Sequence, residues 1–474
     1  MKSRLLLTGL SVLAFCCGAA ENTVFNVLDY GAVGDGARED TAAIQKALDA
    51  CGKKGGGQVW LPSGKTFLSG ALEIHSGTDF HLDNGTALKG SSNWRHYGKS
   101  GALLFAKDAK GITISGGGTL DGNDRAVWQA LADEEAGGNI NKEGWWPQAF
   151  TGDWWPFGRA PGEPQKGGGR PMMLLFIGCE RVRMRDFHLR AAPSWTVHLV
   201  GCEDVAIDSI AIRNDWDVAN NDGIDLDHCR DVRIANCFLE CADDTIVIKN
   251  TPNFAAYGGS ARITVTGCVL KSRSSALKVD EVYTQPGARD IVFADCVVSG
   301  SNRGLSIQSL DEGDVENVLF ANILVETAFS PHKWWGAAEP IHISHFPRSA
   351  QTKLGRVRNI RFSNIQCHGE NGIFLLGWTN SPLENIVLDN VRVEIAKTSD
   401  VPGGFYDERP LGLYKGIFET TLAGIYARDI KGLSLRHTDI IWGKPLDKTY
   451  GPGLDQDGVA DLELDHVSVP PAPK

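Results

Sequence analysis

Alternating apolar positions recur along most of the chain in one short form: apolar, any, apolar, two mostly polar residues, apolar, any, apolar. The form appears as VRMRDFHL (182–189), VAIDSIAI (205–212), VRIANCFL (232–239), ITVTGCVL (263–270), IVFADCVV (291–298), VLFANILV (318–325), IRFSNIQC (360–367) and IVLDNVRV (386–393). LSLRHTDI (433–440) and LELDHVSV (462–469) follow it more loosely. Successive copies start 23–31 residues apart, with two longer gaps of 42 and 47. Period-two alternation with β-branched enrichment predicts two short strands hinged at a polar corner. Repetition at this interval predicts a solenoid. The expected fold is all-β, a single-stranded right-handed parallel β-helix, with the long gaps as loops added to single coils.

A related segment, GITISGGGTLDG (111–122), precedes the copy at Val182 by 70 residues counted from Ile112, which predicts a large insertion at about 123–170. The insertion carries Trp128, Trp145, Trp146, Trp154 and Trp155. Upstream, Asp40 is placed to cap an amphipathic helix from Thr41 to Ala50, with Ile44, Ala47 and Leu48 on one face. Such a helix is suited to cover the open end of a solenoid. Residues 1–20 read as a signal peptide, with Lys2 and Arg4 before the apolar run Leu5–Cys17 and a small-residue Gly18-Ala19-Ala20 site. The mature chain, 21–474, is expected to be one domain, periplasmic or secreted, and a monomer, without membrane insertion.

Composition refines this picture in two ways. The 47 Lys and Arg against 58 Asp and Glu give a net charge of −11, which offers no footprint for nucleic acid or anionic lipid. Eleven cysteines and 55 glycines need explanation. Two cysteines fall in the signal segment. Cys179, Cys202 and Cys229 each lie three residues before a template, and Cys237, Cys268 and Cys296 share its sixth position. Stacked coils would turn these into interior ladders rather than disulfides. The glycines are expected at the turns.

A second strand before each template aligns on Ile224, Ile246, Leu277, Leu305 and Ile341. Neighbouring strands lie about 4.8 Å apart, so a column of equivalent residues is a column of neighbours. Two positions before the aligned residue the column reads Asp222, Asp244, Ser275, Arg303, Glu339. One position after, it reads Asp225, Val247, Lys278, Ser306, His342, and three after, Asp227, Lys249, Asp280, Gln308, Ser344. Carboxylates this close raise one another's pKa, and with cations beside them they divide into a protonated acid and ionised bases. That division serves glycosidic hydrolysis by paired carboxyl groups. A solvated polar face or a calcium site is the alternative.

The stretches FNVLDYGAVGDG (25–36), GGGTLDG (116–122), PSWTVHLVGCEDV (193–205), NNDGIDLDHCRDV (220–232), DDTIVIK (243–249) and RGLSIQ (303–308) resemble those of glycoside hydrolase family 28, the polygalacturonase family of right-handed parallel β-helices. The resemblance implies inverting hydrolysis of an α-linked, usually galacturonic, bond in a pectin-like or other acidic polysaccharide, with an oligo- or polysaccharide as partner and no cofactor or metal. It implies Asp243 as general acid and Asp222 and Asp244 as bases, an inverting pair standing about 6.5–9.5 Å apart. The family's Gly-His-Gly falls at Ser274-Ser275-Ala276, and its Arg-Ile-Lys, which grips the uronate, at Ser306-Ile307-Gln308. Asp225, Lys249, Lys278, Arg303, Gln308, Glu339, His342 and Trp335 are the candidate substrate contacts, with Lys249, Lys278 and Arg303 as possible replacements for the missing cations. Trp195 and His198 are read as support, and His342 and His345 as either interior partners or substrate contacts. Insertions of this size point to exo action. Two rivals stand: a polysaccharide lyase using Lys278 or Arg303 as base with calcium on Asp222, Asp225 and Asp227, and a solenoid that only binds glycan.

Overall fold

The computed structural model describes residues 23–98, 100–137, 169–330, 334–409, 412–413 and 416–473. Residues 1–20, read from the sequence as a signal peptide, and Trp145, Trp146, Trp154 and Trp155 lie outside these residues. All but two of the described strands form one continuous parallel sheet wound as a right-handed β-helix; Phe405–Asp407 and Ile417–Glu419 pair separately as an antiparallel ribbon. A representative coil passes through Ile224–Asp227, Arg230–Ala235 and Phe238–Cys241, and each strand pairs with its equivalent in the next coil, Ile246–Asn250, Ser260–Thr266 and Val269–Ser272.

Every template start pairs with the next. The column runs Ile112, Val182, Val205, Val232, Ile263, Ile291, Val318, Ile360, Ile386, Leu433, Leu462 without a slip. Insertions of very different length therefore leave the register intact, because they leave the sheet at a corner and return to it. The apolar members of each template line one buried core that extends along the solenoid.

The polar corner has a sharper explanation than turn-forming glycine. The fifth template residue and the residue preceding the template both adopt positive φ in every coil. At the fifth position these are Asp186, Ser209, Asn236, Gly267, Asp295, Asn322, Asn364, Asn390, His437 and His466. Only one of these ten is glycine. Left-handed backbone is costly for most L-residues, and short polar side chains tolerate it by bonding locally. Here they bond from coil to coil: Asn390 donates to Asn364, Asn364 to Asn322, and Asn322 to Asp295 at 2.9–3.0 Å.

The nine described cysteines are all free and buried, in agreement with the ladder reading. A helix, α1 (Thr41–Lys54), buries Ile44, Ala47, Leu48 and Cys51 against the first coil. Asp40 precedes it as expected but does not cap it with its side chain. Its carboxylate instead accepts from Val33 N (2.8 Å) and Gly34 N (2.9 Å), tying the preceding loop to the helix start. A second helix, α2 (Asp124–Ala136), opens the large insertion and packs Val127 and Leu131 against Trp94.

Replacing Asn364 (φ 57°) with Ala is expected to cost about 1–2 kcal/mol, whereas Gly at this position costs less because it keeps the left-handed backbone. Thermal unfolding of the two variants checks this, and an Ala variant as stable as the Gly variant contradicts it.

Candidate active site

The second-strand alignment agrees with the observed pairing residue for residue. Ile224, Ile246, Leu277, Leu305 and Ile341 are successive partners, and the outward column beside them runs His198, Asp225, Val247, Lys278, Ser306, His342, Phe374. The third column departs from the expectation. A bulge between Ile248 and Asn250 breaks the register after Lys249, so Asp280 turns to Lys278 (2.7 Å) while Glu281 reaches Lys249 (3.4 Å).

Asp222, Asp243 and Asp244 converge: one carboxylate oxygen of each lies within 4.8 Å of the others. The backbone forces this. Asp244 N donates to Asp243 Oδ1 (3.0 Å), and Gly223 N donates to Asp244 O (2.9 Å), joining the two coils directly beneath the carboxylates. Gly223 permits this approach, since a Cβ there would lie 2.4 Å from Thr245 O. The oxygens come closer than the 6.5–9.5 Å expected of an inverting pair, because Asp243 and Asp244 are adjacent in the chain and Asp222 is one coil rise from Asp244.

Their protonation differs. Burial, then the charge of Asp244, pushes Asp243 up to about 7. Asp222 is raised well above the usual range by burial and by the neighbouring Asp243 and Asp225. Burial also acts on Asp244, but Lys278 and Lys249 overcome it and hold this carboxyl below its ordinary value. Lys278 Nζ lies 3.0 Å from Asp244 Oδ2, and Ser275 N donates to Asp244 Oδ1 at 3.0 Å. Lys249 Nζ lies 3.1 Å from Asp225 and 3.9 Å from Asp222, and it sits 4.2 Å over the Trp195 ring. Of the three carboxylates Asp243 is partly exposed, and the other two are buried.

The remaining predicted contacts lie one to two coils further along, buried beneath a cover. Arg303 pairs with Glu339 (3.3 Å) and donates to Asp407 O (2.7 Å). Gln308 donates to Arg409 O (2.9 Å), and Arg409 donates to Trp334 O (2.8 Å) and binds Asp407. The segment 405–409 belongs to the loop behind the 47-residue gap, so that insertion folds over the site face. His342 stacks on Phe374 and contacts Glu339 (3.4 Å) and Ser344 Oγ (3.1 Å). Burial, and then Arg303, pushes its pKa down to about 4. His345 is an interior partner bonded to Ser309 O and Ser381 Oγ. Trp335 stands 5.9 Å from Lys278 Nζ, whereas Trp334 packs on Ala219 and Ala242.

The residues required by the lyase alternative are otherwise engaged. Asp227 accepts from Thr251 N (2.9 Å) and Thr251 Oγ1 (2.6 Å) and lies 3.5 Å from His198 Nε2. Lys278 and Arg303, the two proposed bases, are both held protonated by the carboxylates around them, against the effect of burial.

Two contributors were not among the expected site residues. Arg170, fully buried at the end of the large insertion, donates to Pro193 O, Ala219 O and Asn220 Oδ1 and feels the charges of Asp222 and Asp243. Asn221 receives Ala242 N at 2.7 Å and donates to Asp215 O, fastening the coil of Asp222 to that of Asp243. Its place next to Asp222 in NNDGID was the available signal.

Residues 51–402 match the sequence pattern of the Glycosyl hydrolases family 28. The chain belongs to this family. It is accordingly a glycoside hydrolase. A family relative from Vitis vinifera named "Probable polygalacturonase" is 25% identical over 426 residues, spanning 84% of this chain and 79% of that one. The exopolygalacturonase structure of Thermotoga maritima superposes with a TM-score of 0.65 at 23% identity, covering 80% of this chain and 88% of its own. The family 28 exopolygalacturonase of Yersinia enterocolitica gives 0.65 at 17% identity, with 95% and 78% covered. These likenesses establish the β-helix fold. No helix among the described residues is long and apolar enough to cross a membrane.

Under the cover, Glu408 is buried with neither carboxyl oxygen bonded, and burial, only partly opposed by Arg303, raises it well above the usual range. A folded-state value above the unfolded one stabilises fully below the unfolded pKa, and this contribution is lost as pH rises through the folded value. Glu408→Gln should therefore melt higher than the parent, with a margin that grows as pH rises above about 4.5. A margin independent of pH in thermal unfolding between pH 4 and 9 would contradict this.

Proposed function

We propose that this chain is an exported hydrolase of α-linked glycosidic bonds in a pectin-like glycan, with Asp243 as general acid and Asp244 as the base that activates water; Asp222, expected from the sequence as a second base, is held protonated by burial and by its acidic neighbours and does not share that role at rest. The observation that carries the reading is the split between two adjacent carboxyls. Asp243 retains a proton to near neutrality and is the partly exposed member of the cluster, where a leaving oxygen can take the proton, while Asp244 is ionised by Lys278. Proton donation to a departing alkoxide and proton removal from water are the two transfers that glycoside hydrolysis requires.

Inversion of the anomeric centre is part of the proposal, and the resemblance supports it. The short spacing among the three carboxylates does not distinguish inversion from retention, so the product anomer decides. Exo action is supported by the 405–409 segment, which walls the site face beyond Arg303. A leading segment with the features of a signal peptide supports export.

Asp243→Asn and Asp244→Asn are each expected to lower kcat by about 10²–10⁴-fold with glycan binding retained. Wild-type turnover in both variants on a cleaved pectic oligosaccharide refutes the roles, and binding without turnover in the parent refutes catalysis. The pH profile should fall as pH rises through about 7, where Asp243 loses its proton, and the acid limb should lie below the ordinary carboxylate range, where Asp244 gains one. Proton NMR of the fresh product reads the anomer.

A further inference from the structure

Four of the cations around the three carboxylates are already neutralised within the protein, and a fifth, Arg170, is engaged by the Pro193 and Ala219 carbonyls and the Asn220 amide oxygen. Lys249 is held by Asp225 and Glu281 beneath Trp195, and Lys278 by Asp280 at 2.7 Å and Asp244 at 3.0 Å. Arg409 is closed on Asp407 at 2.7 Å. Arg303 keeps one amino group, Nη1, without a hydrogen-bond partner, but Glu339 neutralises the guanidinium, and the Asp407 and Glu408 carboxyls stand beside it. A sugar carboxylate entering here would meet this acidic group before a free positive charge. Recognition of a carboxylate needs an uncommitted cation, best of all a bidentate guanidinium.

The atoms that do lack partners are mostly neutral. Ser275 Oγ and Ser306 Oγ, on the register partners of Arg303 and Lys278, and Gln308 Oε1, two residues along the strand from Ser306, are all buried and without a hydrogen bond. His342, the coil neighbour of Ser306, is held in its neutral form by burial. Buried hydroxyl and amide groups left unpaired cost stability, and an occupant bringing hydroxyl groups would recover it.

We propose that the subsite beside Ser275, Ser306 and Gln308 receives an uncharged glycosyl unit, either a neutral hexose or a uronate whose carboxyl is esterified, and disfavours a free uronate. The proposal rests on the hydrolase reading above. It narrows the substrate to glycans that present an uncharged unit at the cleavage point.

The test compares p-nitrophenyl α-D-galactopyranoside with p-nitrophenyl α-D-galactopyranosiduronic acid, which differ only at C6, and methyl-esterified with free digalacturonate. The uncharged member of at least one pair is expected to show a higher kcat/KM by about 10²-fold or more, the scale on which a site rejects a group that it cannot pair. The pair that shows the gap separates neutral hexose from esterified uronate. A preference for the free uronates overturns the proposal and leaves the hydrolase assignment standing. If none of the four is turned over, the hydrolase reading on these linkages fails, and calorimetric titration of Asp243→Asn with esterified and free digalacturonate decides the subsite alone. Tighter binding of the free acid, or no binding of the ester, overturns it. Ser306→Arg adds a cation with no carboxylate assigned to it. It should move the preference toward the free uronate by tenfold or more while Ser306→Thr leaves the preference unchanged.

Discussion

The coil-to-coil hydrogen-bond ladder of the parallel sheet is the constraint on which the rest of this molecule depends. With neighbouring strands about 4.8 Å apart and the register unbroken, a residue type placed at one position of successive repeats becomes a column of side chains in contact. Apolar columns make the core, asparagines make the corner ladder from Asn322 to Asn390, and cysteines make interior stacks with no covalent link. The same rule brings Asp222 next to Asp244, at a cost in like-charge repulsion that an ordinary surface would not retain.

That repulsion is answered locally. Lys278 and Lys249 ionise one carboxyl of the cluster, and burial protonates the others, so the arrangement holds a proton and a vacancy for a proton within a few ångströms. The arrangement needs the lysines protonated and dry, and their own partners, Asp280, Asp225 and Glu281, secure this. A cation engaged in this way organises the catalytic charges and is thereby removed from substrate recognition.

Much of this was legible in the residues. The template starts pair as aligned, and so do the five second-strand positions, because period and register are the same information in a solenoid. Residues whose role depends on loops were not legible in the same way. Asp407 and Arg409 stand about a hundred positions after Arg303 and Gln308 and meet them only because an insertion returns over the site face. Arg170 reaches the carboxylates from the end of another insertion. The bulge after Ile248 was equally silent, since a one-residue slip leaves the alternation readable on both sides.

The sequence by itself determined the β-helix, its register, the family and the convergence of Asp222, Asp243 and Asp244, since each follows from a repeat whose spacing the backbone converts into distance. Only the tertiary structure decided which of the three carboxyls is ionised, and that Lys249, Lys278 and Arg303 are committed to carboxylates of the protein. Protonation and pairing depend on burial and on contacts made across loops, and these exist only once the chain is folded over its own active face.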